Sequence, residues 1–350
     1  MQRRIAAAAA QNAARAAAKF IGMTPDLLWT PIAGPRPTID GQRMSARLQA
    51  FSRVLAPQLA ARTPPSERAR WRMEKLAQLS VPPEKLSVRV TESTVATPGG
   101  AVTGRLYEPH TTTPRGLLVY IHGGGWHLGS AAGYDPVATF LAARINTRVF
   151  SLNYRLAPEH PFPAAFLDAL AGYKHAIKQA ESWGVRGPIV IAGDSAGGNL
   201  AAAVAYAVSS DKTYRPDLAA LVYPALDARL DRYPSSDLFH TPLSRASVDR
   251  AFDWYVPVQD SRTDPRFSIV GAEELSQMPP TYIATAGMDV LRDQGELFAK
   301  ELEAAGASVT VEQFPNMPHG FLSMLVDPGA RAASERIADA VRENMLKLIA

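Results

Sequence analysis

The sequence predicts an α/β protein, with a mostly parallel central sheet and helices on both of its faces. Three observations predict it. From Gly116 onward, short apolar runs alternate with helical stretches, which is the signature of parallel strands joined by helices. Two of these runs end in glycine-rich turns, His122-Gly123-Gly124-Gly125 and Gly193-Asp194-Ser195-Ala196-Gly197-Gly198. The second turn opens an Ala-rich stretch from Asn199 to Val208, and alanine is the best helix former.

Residues 4–20 read as a helix of alanines interrupted by Gln11, Asn12, Arg15 and Lys19. Their apolar run, Ile5 to Ala10, falls short of a signal-peptide core of about 7–15 residues, so a cytoplasmic protein is expected. Pro31, Pro35 and Pro37 punctuate a loop, a second helix runs from Glu67 towards Leu79, and Pro82-Pro83 forms a linker. Ser87 to Val95 and Ala101 to Tyr107 alternate around Pro98-Gly99-Gly100, a hairpin signal. The expected strands are Leu117–Ile121, Arg148–Asn153, Ile189–Ala192, Ala219–Tyr223, Thr281–Ala286 and Val309–Phe314. Between Pro224 and Pro279 the rhythm fails in a stretch carrying Tyr233, Phe239, Phe252, Trp254, Tyr255 and Phe267. The last helix, about Ala330 to Leu348, shows Ile337, Val341 and Leu348 at helical spacing and should pack on the sheet. The organisation expected is a helical cap segment over 1–82 and a catalytic domain over 83–350, with 225–278 inserted as a second cap segment.

Three consecutive glycines suit neither a helix nor a strand, where each costs about 0.5–1 kcal/mol relative to alanine. They suit a loop whose backbone N–H groups face an anion at close range, as in an oxyanion hole. Gly193-Asp194-Ser195-Ala196-Gly197 has the form Gly-x-Ser-x-Gly between a strand and a helix. The turn is so tight that the positions two before and two after the serine cannot carry a Cβ. Ser195 Oγ is thereby exposed at a helix N-terminus, which favours negative charge. The N–H of Ala196 points the same way as those of Gly124 and Gly125.

A serine hydroxyl needs a base. Of seven histidines, His319 stands out, in a loop-like segment after the strand candidate Val309–Phe314. Loops at the C-terminal ends of strands are where α/β sheets place catalytic groups. His110 and His175 read as surface residues, and His160 as a structural loop histidine. The acid expected between serine and histidine is Asp289, at the end of Thr281–Ala286. Its rival Asp293 falls one helical turn on, where an ion pair with Arg292 or a helix-start role fits better.

With these residues placed, the chain resembles the bacterial hormone-sensitive-lipase-like esterases (family IV) of the α/β-hydrolase fold, from about residue 86 to the C-terminus. The resemblance rests on His122-Gly123-Gly124-Gly125-Trp126, the segment from Asn153 to Ala165, the Ser195 turn and Pro318-His319-Gly320-Phe321. It departs at Val290, where the family usually carries proline, while Leu291-Arg292-Asp293 keeps the pattern. The resemblance implies Ser195 as nucleophile, His319 as base, Asp289 as its orienter, and Gly124, Gly125 and Ala196 as oxyanion donors. It implies hydrolysis of short- to medium-chain acyl esters through an acyl-enzyme, without a cofactor, and a possible homodimer through the edge strand Val309–Phe314. The alternatives are an amide or carbamate hydrolase on the same triad, or a non-catalytic binding member of the fold such as the plant gibberellin receptors, which lack the catalytic histidine.

Composition narrows the classes. Of 350 residues, 47% are hydrophobic and 20% charged, as in soluble globular proteins. With no cysteine, disulfides, thiol nucleophiles and cysteine metal sites are excluded. A net charge of +4 without a basic block interleaved with aromatics argues against nucleic acid as a partner. No run reaches the roughly 20 apolar residues of a membrane span, so stable membrane insertion is not expected.

Overall fold

The computed structural model describes residues 20–79, 88–110 and 114–349. Its centre is an eight-stranded sheet. The strands are β1 (Val88–Thr97), β2 (Gly100–Pro109), β3 (Leu117–Ile121), β4 (Arg148–Leu152), β5 (Ile189–Asp194), β6 (Leu218–Val222), β7 (Thr281–Met288) and β8 (Val309–Pro318), in the spatial order β1-β2-β4-β3-β5-β6-β7-β8. The hairpin β1–β2 is antiparallel, as is β2 against β4, and every other neighbour is parallel. All five residues of β3 and of β6 are buried. Side chains alternate between the two faces of a strand, so both faces of the sheet are covered.

The longer helices are α1 (Ala46–Leu59), α2 (Glu67–Leu79), α3 (Asp135–Ile145), α4 (Ala164–Gln179), α5 (Ala196–Ala207), α6 (Arg245–Tyr255), α7 (Arg292–Ala304) and α8 (Pro328–Lys347). Helix α8 starts where Asp327 accepts the N–H groups of Gly329 and Ala330, with Pro328 supplying a pre-set φ. In the stretch without strand rhythm, α6 is capped by Ser244 and buries Val248, Ala251, Phe252 and Tyr255, a stripe at helical spacing. Among the described residues no helix is long and apolar enough to cross a membrane.

Each expected strand is present, several of them longer than the sequence suggests: β5 runs through Asp194, β7 to Met288 and β8 to Pro318. Several expectations need correcting. Ala219–Tyr223 ends at Val222, with Tyr223 at φ 36°. Pro31, expected in a loop, lies in a short helix, Thr30–Ala33. Arg148–Asn153 stops at Leu152, because Asn153 turns its side chain to cap Ala131 N–H and to reach Thr103. Leu348 lies beyond α8 and is 47% exposed, whereas Ile337 and Val341 are buried. His175 is half-buried, its Nε2 3.1 Å from Ser93 Oγ and its ring among Phe150 and Trp183. The helix expected over 4–20 lies outside the described residues except for Phe20, and the Pro82-Pro83 linker lies wholly outside them.

Strand register decides what meets at the C-terminal edge. Ile121 of β3 lies opposite Gly193 of β5, so the glycine run and the serine turn leave the sheet side by side. A β-bulge shifts the register between Ala286 and Met288, after which Met288 pairs with Pro318. The next residue on each strand is Asp289 and His319.

Candidate active site

Ser195 has φ 56° and ψ −121°, a positive φ that a side-chain-bearing residue rarely adopts. Such strain costs about 1–3 kcal/mol and persists only where the surroundings enforce it. Here Ser195 N–H donates to Val222 O at 2.9 Å, while its carbonyl accepts from Asn199 N–H in α5 and Ala225 N–H. The flanking glycines are sterically required. A Cβ on Gly193 would lie 2.3 Å from Gly197 O, and one on Gly197 only 2.0 Å from Ile121 O.

His319 begins the loop after β8 and is 8% exposed. Its Nε2 is 2.8 Å from Ser195 Oγ, and its Nδ1 is 2.7 Å from Asp289 Oδ2. A carboxylate only accepts, so Nδ1 carries the proton and Nε2 presents its lone pair to the serine hydroxyl. Asp289 is 1% exposed and its other oxygen accepts Leu291 N–H at 3.0 Å. The Tyr223 ring, 4.9 Å from the imidazole, closes one side. Asp293 is elsewhere occupied, accepting Ser235 N–H and pairing with Arg292, as its place at the start of α7 suggests. Exposed His110, His160 and His240 take no part in this cluster.

The glycine run leaves β3 beside the serine turn. Gly124 (φ 117°) and Gly125 (φ 59°) hold conformations that favour glycine, and Gly124 O accepts from His127 N–H and Leu128 N–H. Gly124, Gly125, Ser195, Ala196 and His319 line one cavity. Trp126 shares that wall, but His122 does not. The latter is fully buried, stacked 4.4 Å from the Tyr154 ring, with Nδ1 2.8 Å from Gly123 O. Burial lowers its pKa to about 4, and that of His127 likewise to about 4, so both rings are neutral. The rest of the lining is largely apolar, from Leu55 and Leu59 of α1, Met73 of α2, and Leu243, Val248 and Phe252 in or before α6.

Two features carry no signal in the sequence reading. Arg70 of α2 reaches down to His127 O (2.9 Å), Ala157 O (3.0 Å) and Glu159 (2.7 Å). Asp194, beside Ser195, turns its side chain inward towards β3. Neither pairing follows from local sequence, since the partners lie tens of residues away. Among the described residues no group of three or more His, Asp or Glu is placed to hold a metal ion.

Comparison with known proteins places the chain in a family. The family model described as alpha/beta hydrolase fold matches residues 118–323. The carboxylic ester hydrolase LipN of Mycobacterium tuberculosis is 33% identical over 329 residues, covering 90% of this chain and 87% of that protein. Carboxylesterase NlhH of the same organism is 38% identical over 272 residues, 75% of this chain and 85% of that protein. The crystal structure of a thermostable esterase from Pseudomonas putida superposes with a TM-score of 0.79 at 26% identity, over 89% of this chain and 99% of that one. The chain belongs to the alpha/beta hydrolase fold family, among its hormone-sensitive-lipase-like carboxylesterases.

Proposed function

We propose that this carboxylesterase works through Ser195 as nucleophile, His319 as general base and acid, and Asp289 as the group that orients the imidazole. The observation that carries the reading is the unbroken hydrogen-bond chain from Asp289 through His319 to Ser195, at the floor of a largely apolar cavity. Ser195 Oγ attacks the acyl carbon as its proton passes to His319 Nε2. The N–H groups of Gly124, Gly125 and Ala196 hold the oxygen that becomes anionic. The tetrahedral intermediate collapses as His319 Nε2–H protonates the leaving alkoxide oxygen, and the ester C–O bond breaks. Water, deprotonated by the same nitrogen, then releases the acid and restores Ser195.

Short- to medium-chain acyl esters fit the cavity best in this reading. Helices α1 and α2 and the 225–278 stretch act as two parts of a cap, whose Leu55, Met73 and Val248 side chains limit the space above Ser195. Ser195→Ala removes the nucleophile and no packing. Turnover of a short-chain aryl ester should fall by about 10⁴ or more, with the thermal melt unchanged. Near-parental turnover in that variant would overturn the scheme. Esters of one alcohol from acetyl to hexadecanoyl test the size limit, and a maximum at the long end would refute it. Turnover of the matching arylamides would establish the amidase alternative.

A further inference from the structure

Asp194 is the last residue of β5 and directly precedes the nucleophile, yet it is 3% exposed. Its Oδ1 accepts Tyr120 O–H at 2.6 Å and Gly123 N–H at 2.8 Å, and Tyr134 O–H lies 3.5 Å from Oδ2. Gly123 approaches so closely that a Cβ there would fall 2.5 Å from Oδ2. One carboxylate therefore joins the residue before the oxyanion glycines to the residue before the serine.

Burying a carboxylate costs several kcal/mol unless donors or positive charge offset the lost water. Burial pushes the pKa of Asp194 up. The Tyr120 bond, the Gly123 N–H, the charge of His319 and the Tyr134 bond act in the opposite direction. Asp289 against His319 and Glu74 on the cavity wall are the other carboxylates at the site, and the remaining groups around Asp194 are neutral. Burial drives Tyr120, Tyr134, Tyr154 and Tyr223 well above the usual phenol range, and His122 is uncharged. The interaction with His319 is reciprocal. If protonated imidazole favours the ionised carboxylate, the carboxylate favours protonated imidazole by the same free energy.

We propose that Asp194 is a positioning residue of the hydrolysis, tying the oxyanion loop to the nucleophile turn through Gly123 N–H and supporting with its charge the imidazolium that forms at His319. The inference rests on the triad reading above. It adds a second carboxylate to the charge balance of the step, beside Asp289. It also gives the glycine run a rigid anchor: the Gly123 amide is held, so the next two N–H groups are aimed rather than free to turn.

Asp194→Asn tests it, because the amide oxygen still accepts from Tyr120 and Gly123 while the charge is gone. On a short-chain aryl ester the expected result is a kcat lowered about tenfold with KM changed less than about twofold, because the lost interaction acts in the transition state. The acid limb of kcat/KM should move to lower pH, by about half a pH unit, since the cavity that His319 shares with Asp194 then holds one negative charge fewer. Asp194→Ala, which also removes the acceptor, should be slower again by about tenfold. A merely structural carboxylate would change the melting temperature and leave the limb in place. Parental kcat and an unmoved acid limb in the Asn variant would overturn the proposal, and the Asn variant decides it alone if the Ala variant does not fold. The outcome is separable from failure of the triad. An inactive Ser195→Ala beside a fully active Asp194→Asn refutes only the inference, whereas an active Ser195→Ala refutes the reading beneath it.

Discussion

Trp126 lies flat on Tyr255, their ring centroids 5.0 Å apart and their planes within 5° of parallel. Trp126 ends the glycine run and Tyr255 ends α6, so this stack joins the glycine loop to the inserted stretch. Phe252 and Phe267 pack on the same indole at 5.9 and 5.3 Å. Trp126 itself holds φ 60°, a conformation the surrounding rings must enforce. Tyr255→Ala should cost about 3–5 kcal/mol of stability, read from urea unfolding, and lower kcat as the loop loosens. Tyr255→Phe keeps the ring and should retain most of both, and equal losses in the two variants would rule out stacking as the cause.

Arg70 makes a second bridge, from α2 to the loop carbonyl of His127, to Ala157 O and to Glu159. Arg70→Ala should raise KM more than it lowers kcat, because α2 supplies Met73 to the cavity wall but touches no reacting atom. Arg70→Lys should not rescue it. An ammonium lacks the planar fork that reaches several acceptors at once. Steady-state kinetics on a medium-chain ester separates the two parameters, and a pure loss of kcat would contradict this role.

Gly197→Ala should be among the most damaging single-atom additions in the chain. The new Cβ would sit 2.0 Å from Ile121 O and 2.5 Å from His122 O, both backbone atoms that cannot swing away. The expected result is loss of activity with destabilisation of more than about 3 kcal/mol, measured by thermal melting and aryl ester turnover. A stable, active Gly197→Ala protein would mean that the serine turn is looser than its geometry indicates.

Asp289→Asn preserves shape but offers an amide in place of the carboxylate that holds His319 Nδ1–H. The imidazole can then settle in the other tautomer, with no lone pair towards Ser195. A kcat loss of about 10³–10⁴ is expected. Asp293→Asn should leave kcat within a few-fold, because that side chain serves Ser235 N–H and Arg292 instead. The reverse ranking would exchange the roles of the two acids.

Stability should fall on the acid side for a reason apart from catalysis. His122 and His127 titrate near 4 in the folded protein because burial penalises their charged forms. In the unfolded chain an imidazole titrates near about 6.5. Between these values the unfolded chain binds more protons, so stability rises with pH across this window. The contribution is complete above about pH 6.5 and lost as pH falls towards about 4. Two such groups give a slope of at most about 2.7 kcal/mol per pH unit. Urea unfolding across that window should show the loss, and His127→Gln should roughly halve it. A stability independent of pH there would contradict neutral burial of both rings.

The parts of the site that could be read in the sequence are those built from neighbouring residues. The Ser195 turn needs Gly193 and Gly197 within four positions, and its strand and helix are contiguous with it. The glycine run follows its strand directly, and Asp289 and His319 are recognisable because each closes a strand. His122, by contrast, lies buried outside the cavity wall although it opens the glycine run, because the Tyr154 ring claims its face. His175 was expected on the surface, but the β1–β2 hairpin, paired onto β4, covers it with Ser93.

Chain order alone thus determined the α/β architecture and pointed to Ser195, Asp289 and His319, in that order, as the proposed reacting side chains. Local sterics and hydrophobic rhythm are properties of short segments, and they act before any long-range contact forms. Tertiary structure decided the distances. His319 meets a serine 124 positions away and an aspartate 30 away because a bulge in β7 aligns Met288 with Pro318. It also turned Asp194 inward to Tyr120 and Gly123 and set Arg70 on the carbonyl of His127. Such pairings depend on which strands become neighbours, and their hydrogen bonds gain value from burial that only the assembled fold provides.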